Sequence, residues 1–333
     1  MDRVAQQITL DPYSSIAPKV VAIVDADALL SSIDNQCRTG RRSRILRMAG
    51  SRASCVYAAR HVYGETYRGF KKIAANSSAS IDDLRACFEE HYLPVLRWVE
   101  TNGDGIADDR VAQVIDETDV PTAELASLIA PCLVLSEDRA LRRPGYAPDR
   151  WRLAAGHGAE IVEGFEMLER VTIVVGLPVV GFVGGGVKLG EAARVPWWAS
   201  LGLLGLGGYV ILRSARRREV IGRKVKPLVE AVCAMVVEAT AREQDGVRGL
   251  KEMMFAPAAP PTAKQQVATV VARSQMPLVA TEVHERIGRC FDRSVTLHEV
   301  RAILKGSPEF TQPERYRWQL GQIRGPWRGV LSS

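Results

Sequence analysis

Three hydrophobic patterns divide the chain. Lys19 to Leu30 (KVVAIVDADALL) is an apolar run that meets carboxylates at Asp25 and Asp27. A run of this length suits a strand buried on both faces of a parallel sheet. Side chains at the carboxyl end of such a strand project into the crevice where open α/β sheets bind ligands. Asp119 to Leu141 repeats the arrangement: Asp119 precedes a helical stretch, and Cys132 to Leu135 predicts a short strand ending at Ser136-Glu137-Asp138. Between the two lies SRASCVYAARHVYGETYRGFKK, a stretch of helical period that contains Glu65.

The second pattern is a pair of strips without charge, Val171 to Val187 and Pro196 to Leu212, each 17 residues long and separated by Lys188 to Val195. That length is the short end of what crosses a hydrocarbon core of about 30 Å. Ten of the 28 glycines fall in 171–213, including Gly181 and Gly185 at GxxxG spacing, which lets two helices approach closely. Trp197 and Trp198 open the second strip. Seven cations (Arg213, Arg216, Arg217, Arg218, Arg223, Lys224 and Lys226) follow it within 14 residues. Positive charge beside a span marks its cytoplasmic side. The expectation is a two-helix transmembrane hairpin over 171–212, with both termini cytoplasmic at a bacterial-type inner membrane. A Gly-rich pair of buried elements in a soluble protein is the alternative. Residues 1–18 carry polar residues throughout and no apolar core of a signal peptide.

The third pattern follows a basic helical stretch and the stiff Ala256 to Pro261 (APAAPP) linker, together spanning 213–262. Residues 263–322 resemble a small winged-helix domain. A first helix ends near Arg273, MPLVATEVHERIG and TLHEVRAILKGSPEF supply the second and third, and RYRWQLG supplies a closing strand. In DNA-binding versions the third helix enters the major groove, which would give Arg301 and Arg317 nucleic-acid contacts. Winged helices also bind proteins, and fold alone does not choose.

Charge follows the same divisions. Residues 1–170 carry a net −4, residues 171–213 a net +2, and residues 214–333 a net +8 within a total of +6. The 333-residue length suggests two domains with connecting structure. The hydrophobic share of 47% supports a buried core. Mean hydropathy of −0.04 excludes a multi-span transporter. Six scattered cysteines, with no CxxC pair, exclude a zinc finger or a disulfide-stapled secreted domain.

Carboxylates from separate parts of a chain can converge on a divalent ion, which takes oxygen ligands and tolerates retained waters. Residues 19–169 resemble a PIN-domain nuclease, the three-layer α/β fold with a central parallel sheet that bacterial toxin ribonucleases also use. The landmarks are a strand ending in Asp25, a helical Glu65, Asp119, and a strand ending in Ser-x-Asp at Asp138. The resemblance implies that Asp25, Glu65, Asp119 and Asp138 hold Mg²⁺ or Mn²⁺ and hydrolyse a phosphodiester, with Ser136 beside the last Asp. Asp116 and Glu117 are near enough to replace Asp119, and Asp27 and Glu124 are auxiliary candidates. In an ordinary α/β domain the same acids would be surface and turn residues.

An arginine cluster, including Arg41, Arg42 and Arg44, lies between the first strand and the Glu65 helix and could carry a phosphate backbone. A solvated loop is an equal reading. The calcium-loop-like ETNGDGIADDRV has Val111 where a bidentate Glu is needed and reads as a turn. The expectation is therefore a membrane-anchored metal-dependent nuclease acting on RNA, with DNA as the alternative substrate. Its partners would be the membrane and an antitoxin-like protein or a second copy of the chain. The rival reading is a membrane-tethered nucleic-acid-binding or regulatory protein whose PIN-like domain is a non-catalytic scaffold.

Overall fold

The computed structural model describes residues 20–182, 215–257, 259–291 and 295–323. Its architecture is α/β, built on a four-stranded parallel sheet. The strands are β1 (Val20–Val24), β2 (Ser54–Ala59), β3 (Arg97–Val99) and β4 (Leu133–Leu135), in the order β3-β2-β1-β4. Every residue of all four is buried, as expected of a parallel sheet covered on both faces. Helices α1 (Ala26–Thr39), α2 (Arg44–Ala49), α3 (Arg60–Ala74), α4 (Ile81–Cys87) and α5 (Val120–Ile129) connect them. The chain steps from β1 to β2 to β3 on one side, then returns to place β4 on the other side of β1. The direction of winding thus reverses between β1 and β4, where doubly wound sheets open a crevice at the strands' carboxyl ends.

Ser54 to Ala59 corrects the helical reading of that stretch. SCVYAA is apolar at nearly every position, and so short a run does not tell a buried strand from a buried helix by period. The helix starts only at Arg60. Val62, Tyr63, Thr66 and Phe70 are its buried face, and Tyr63 meets Trp98 of β3 edge to face at 5.8 Å. This packing holds α3 against the sheet and fixes the direction of the residues two positions before and two after Tyr63.

Beyond the short α6 (Arg139–Arg142), α7 spans Trp151–Phe182 and α8 spans Ala215–Lys251. Residues 163–245 form one compact unit. Within it Gly164 lets α7 and α8 touch, since a Cβ there would come within 2.7 Å of the Ala239 carbonyl oxygen. The second uncharged strip and residues 183–187 of the first lie outside the described residues. Among the described residues no helix is long and apolar enough to cross a membrane.

The other compact unit joins residues up to 162 with those from 246 onward. Its C-terminal part contains α9 (Ala263–Ala272), β5 (Leu278–Val279), α10 (Ala280–Cys290), α11 (Leu297–Gly306), β6 (Phe310–Glu314) and β7 (Arg317–Leu320). The last helical residue of α9 is Ala272, with Arg273 as its C-cap, in line with an end near Arg273. Strands β5, β7 and β6 form a small antiparallel sheet.

This part closes both edges of the parallel sheet. Trp98 and Gln322 exchange backbone hydrogen bonds (3.0 and 2.8 Å) at the β3 edge, and Cys132 and Phe255 do so beside β4 (3.1 and 2.8 Å). Gly321, at φ 68°, sits where a Cβ would come within 2.6 Å of the Trp98 carbonyl oxygen, so the close approach needs glycine. An unpaired strand edge invites association, and here the same chain covers it.

Polar side chains match the two parts across the join. Buried Arg97 donates to the carbonyls of Ser274 (2.9 Å) and Gln275 (3.1 Å) and to the Tyr57 hydroxyl (3.2 Å). The Tyr57 hydroxyl donates to the Ala272 carbonyl at 2.9 Å. A cation thus meets carbonyls at the C-terminal end of α9, the end of a helix that favours positive charge. Arg273 in turn donates to carbonyls of Ile129 and Pro131 after α5, and Lys264 pairs with Glu309 at 2.8 Å out of solvent. Arg97→Met would leave two carbonyls and a phenol short of a donor, at a cost of about 3 kcal/mol. Denaturant unfolding should show that loss in one cooperative transition for residues 20–162 and 246–323. Two separate transitions in the wild type would contradict the single unit.

Candidate metal centre

Asp25 occupies the N-cap position of α1 immediately after β1 without a side-chain cap bond, and its backbone N–H still belongs to the sheet, donating to the Leu135 carbonyl at 3.1 Å. Its side chain is only 3% exposed. One carboxylate oxygen, Oδ2, accepts from the Ser136 hydroxyl at 2.9 Å. The other, Oδ1, is buried with no hydrogen-bond partner among the described residues. An ionised oxygen in that state is costly, and burial, with the charge of Asp138, pushes the Asp25 carboxyl above the usual carboxylate range, against the lowering influence of Ser136, the Ala26 N–H and Thr122.

Glu65 and His61 stand one helical turn apart on α3, with Glu65 Oε2 4.0 Å from His61 Nε2. His61 Nε2 is 3.4 Å from the Thr122 hydroxyl on α5. Ligand atoms of Asp25, His61 and Glu65 all lie within 4.8 Å of one another. Asp119, at the start of α5, is buried, and its Oδ2 also lacks a partner. Burial, followed by the charge of Asp25, lifts Glu65 to about 7. Asp119 is also pushed up to about 7, by burial and then by Asp25, Asp138, Asp116 and Glu65. Burial and the nearby Arg68 hold His61 down at about 4, so its ring is neutral at physiological pH.

Asp138 occupies the mouth rather than the centre. It is exposed, and its Oδ1 caps α6 by accepting from the Ala140 backbone N–H at 2.7 Å. Its own N–H donates to Ser136 Oγ at 2.9 Å, so one hydroxyl ties Asp138 to Asp25. Asp27 turns to the Glu137 and Ala28 N–H groups, each at 2.6 Å. It too is lifted to about 7, by burial and then by Asp25. Asp116 faces its own turn, accepting from Thr118.

The structure therefore gathers Asp25, Glu65 and Asp119 and brings Asp138 to their rim. It adds His61, which the sequence reading did not single out. The signal was present: His and Glu four residues apart share a helix face, but nothing local tells that face from a solvated one. The nucleic-acid candidates lie elsewhere. α1 runs 14 residues away from Asp25, about 1.5 Å per residue, before Arg41 and Arg42 are reached. Arg44 donates to the Arg152 carbonyl at 3.0 Å. Arg301 is exposed on α11, while Arg317 is engaged by Glu314 at 3.6 Å and the Pro277 carbonyl at 3.1 Å.

Buried polar atoms without partners occur on Asp25 (Oδ1), His61 (Nδ1) and Asp119 (Oδ2), and Asp25, His61 and Glu65 are the residues whose ligand atoms converge. Buried polar groups are nearly always satisfied, and two carboxylates with an imidazole form a donor set that suits a divalent ion. Oxygen ligands suit Mg²⁺ and Mn²⁺, and a neutral imidazole shifts the balance toward the transition metal. Comparison with family models, curated proteins and solved structures gives no match, so the PIN-domain resemblance rests on these residues alone.

The raised carboxyl groups fix a pH dependence for the ion-free protein. Each binds its proton more tightly folded than unfolded, so its contribution to stability is full below about 4 and is lost as pH rises through about 7. His61 works in the opposite sense, and its contribution is lost as pH falls from 6.5 through about 4. Asp25→Asn should therefore melt higher than the wild type at pH 8 without metal, with the gap closing toward pH 5. Mn²⁺ at a hundred times its dissociation constant should stabilise the wild type by about 2.7 kcal/mol and leave Asp25→Asn unmoved. Calorimetry with and without metal checks both.

Proposed function

We propose that this chain is a metal-dependent nuclease that hydrolyses phosphodiester bonds through a divalent ion held by Asp25, Glu65 and His61. The observation that carries the reading is the buried Asp25 carboxylate, with one oxygen unpartnered and facing like charges at the sheet's winding reversal. The PIN-domain resemblance of residues 19–169 supports the same chemistry. A bound Mg²⁺ or Mn²⁺ would neutralise phosphate charge and lower the pKa of water. Asp119 offers a proton acceptor at its unpartnered Oδ2. Ser136 holds Asp25 in position and keeps the Asp138 backbone in register with it. Thr122 orients the His61 ring.

The test uses the full chain, because its C-terminal part seals the sheet that carries the site. Labelled RNA and DNA are incubated with Mg²⁺, Mn²⁺ or EDTA. Cleavage should require metal and run faster with Mn²⁺. Asp25→Asn and Asp119→Asn should each lose at least a hundredfold in rate, while Asp27→Asn loses less. Wild-type cleavage by Asp25→Asn would end the proposal. Metal binding without any cleavage would assign the chain to the non-catalytic, nucleic-acid-binding class.

We further propose that the uncharged strips of 171–187 and 196–212 anchor the protein in a membrane. Support comes from their lack of charge and the arginine-rich flank that follows. The full chain should stay with the membrane fraction through carbonate and high-salt washes. Recovery in the soluble fraction without detergent would remove the anchor.

A further inference from the structure

The segment that leaves the metal centre is the most arginine-rich part of the acidic first half outside the Arg38–Arg52 cluster. Arg139, Arg142, Arg143, Arg150 and Arg152 fall within 14 residues and face a single carboxylate of that segment, Asp149. The segment is not a loose loop. Leu141, Tyr146, Ala147 and Trp151 are buried, and Tyr146 and Gly145 donate backbone bonds to Leu141 and Arg142, each at 3.0 Å. The Tyr146 hydroxyl donates to Asp108 Oδ2 at 3.2 Å. Apolar anchors between the cations therefore hold the backbone while the guanidinium groups remain outside.

Four of the five arginines are exposed and Arg142 is half-buried. Arg152 pairs with Glu137 and lies 4.9 Å over the Trp151 ring. Arg142 Nε donates to the Asp138 carbonyl at 3.3 Å. Among the described residues the side chains of Arg139, Arg143 and Arg150 engage no hydrogen bond or ion pair. Two hydrogen bonds, Asp25–Ser136 and Ser136–Asp138, connect this rim to the centre, and Arg139 follows Asp138 directly.

We propose that Arg139, Arg143 and Arg150, with Arg142 beside them, bind a phosphodiester backbone. The binding stands on the rim itself, whereas calling the bound strand the substrate rests on the nuclease reading. Guanidinium groups present planar forks that match phosphate oxygens, and contact with the backbone alone carries no sequence preference. A nucleic acid offers phosphates at regular intervals to several rim cations at once and brings one of them toward the adjoining carboxylate cluster. Arg41 and Arg42, at the far end of α1, lack that connection.

The test is equilibrium binding of the full chain to short fluorescent RNA and DNA strands in EDTA, read by anisotropy as salt is raised. The two strands tell which polymer supplies the phosphates. Combined Arg139→Gln, Arg143→Gln and Arg150→Gln should weaken binding at least tenfold at low salt. The salt slope should fall by about 2, since each lost phosphate contact on a single strand removes about 0.7. The same three sites changed to Lys should keep most of the affinity, and Arg41→Gln with Arg42→Gln should change little. The proposal is overturned if the Gln variant keeps wild-type affinity and slope. It is equally overturned if polyglutamate displaces the strand as well as unlabelled RNA does, which would point to an acidic protein partner. Wild-type binding that depends on the rim, without cleavage in Mn²⁺, would leave the rim standing and remove the nuclease reading.

Discussion

A carboxylate almost removed from water, with one oxygen satisfied and the other not, is the constraint around which this fold is arranged. Asp25 owes its place to β1, whose buried residues and hydrogen bonds to β2 and β4 leave the next residue no route except into the crevice. Glu65 and Asp119 come to it on separate helices, and each raises the cost of ionising the others. Such an arrangement opposes folding when nothing neutral or positive occupies it. Its compensation lies elsewhere in the unit: a sheet buried on all faces, and the rings of Tyr63 and Phe88 packed on Trp98.

Much of this was legible before any coordinates. A strand ending in a carboxylate is a local pattern that marks Asp25 and Ser136-Glu137-Asp138, while Asp119 is marked by its place before a helical stretch. Glu65 was found through its place in the helical stretch. The failures were of two physical kinds. Short apolar runs such as SCVYAA are ambiguous because a strand buried on both faces has no polar alternation to reveal it. His61 was missed because its relevance depends on Thr122 and Asp25, which approach it only through the winding of the sheet.

The C-terminal part posed a harder problem. Its helices are legible through the winged-helix resemblance, but its attachment is not. Arg97 and Gln275 both work on backbone carbonyls, which every residue carries, so no pairing of residue types announces the contact. Charge counts misled in a related way. The arginines of 38–52 attract notice because they are dense, yet the length of α1 carries Arg41 and Arg42 away from Asp25. The sparser set at 139–152 sits next to it because Asp138 is its first neighbour.

The sealing of the sheet edges also has a meaning in time. Phe255 and Gln322 border strands laid down far earlier in synthesis, so the sheet that holds the carboxylates reaches its final form only after the residues between have left the ribosome. Until then β3 and β4 present open edges, the condition in which nascent chains associate wrongly. The uncharged strips are therefore made before either edge is sealed.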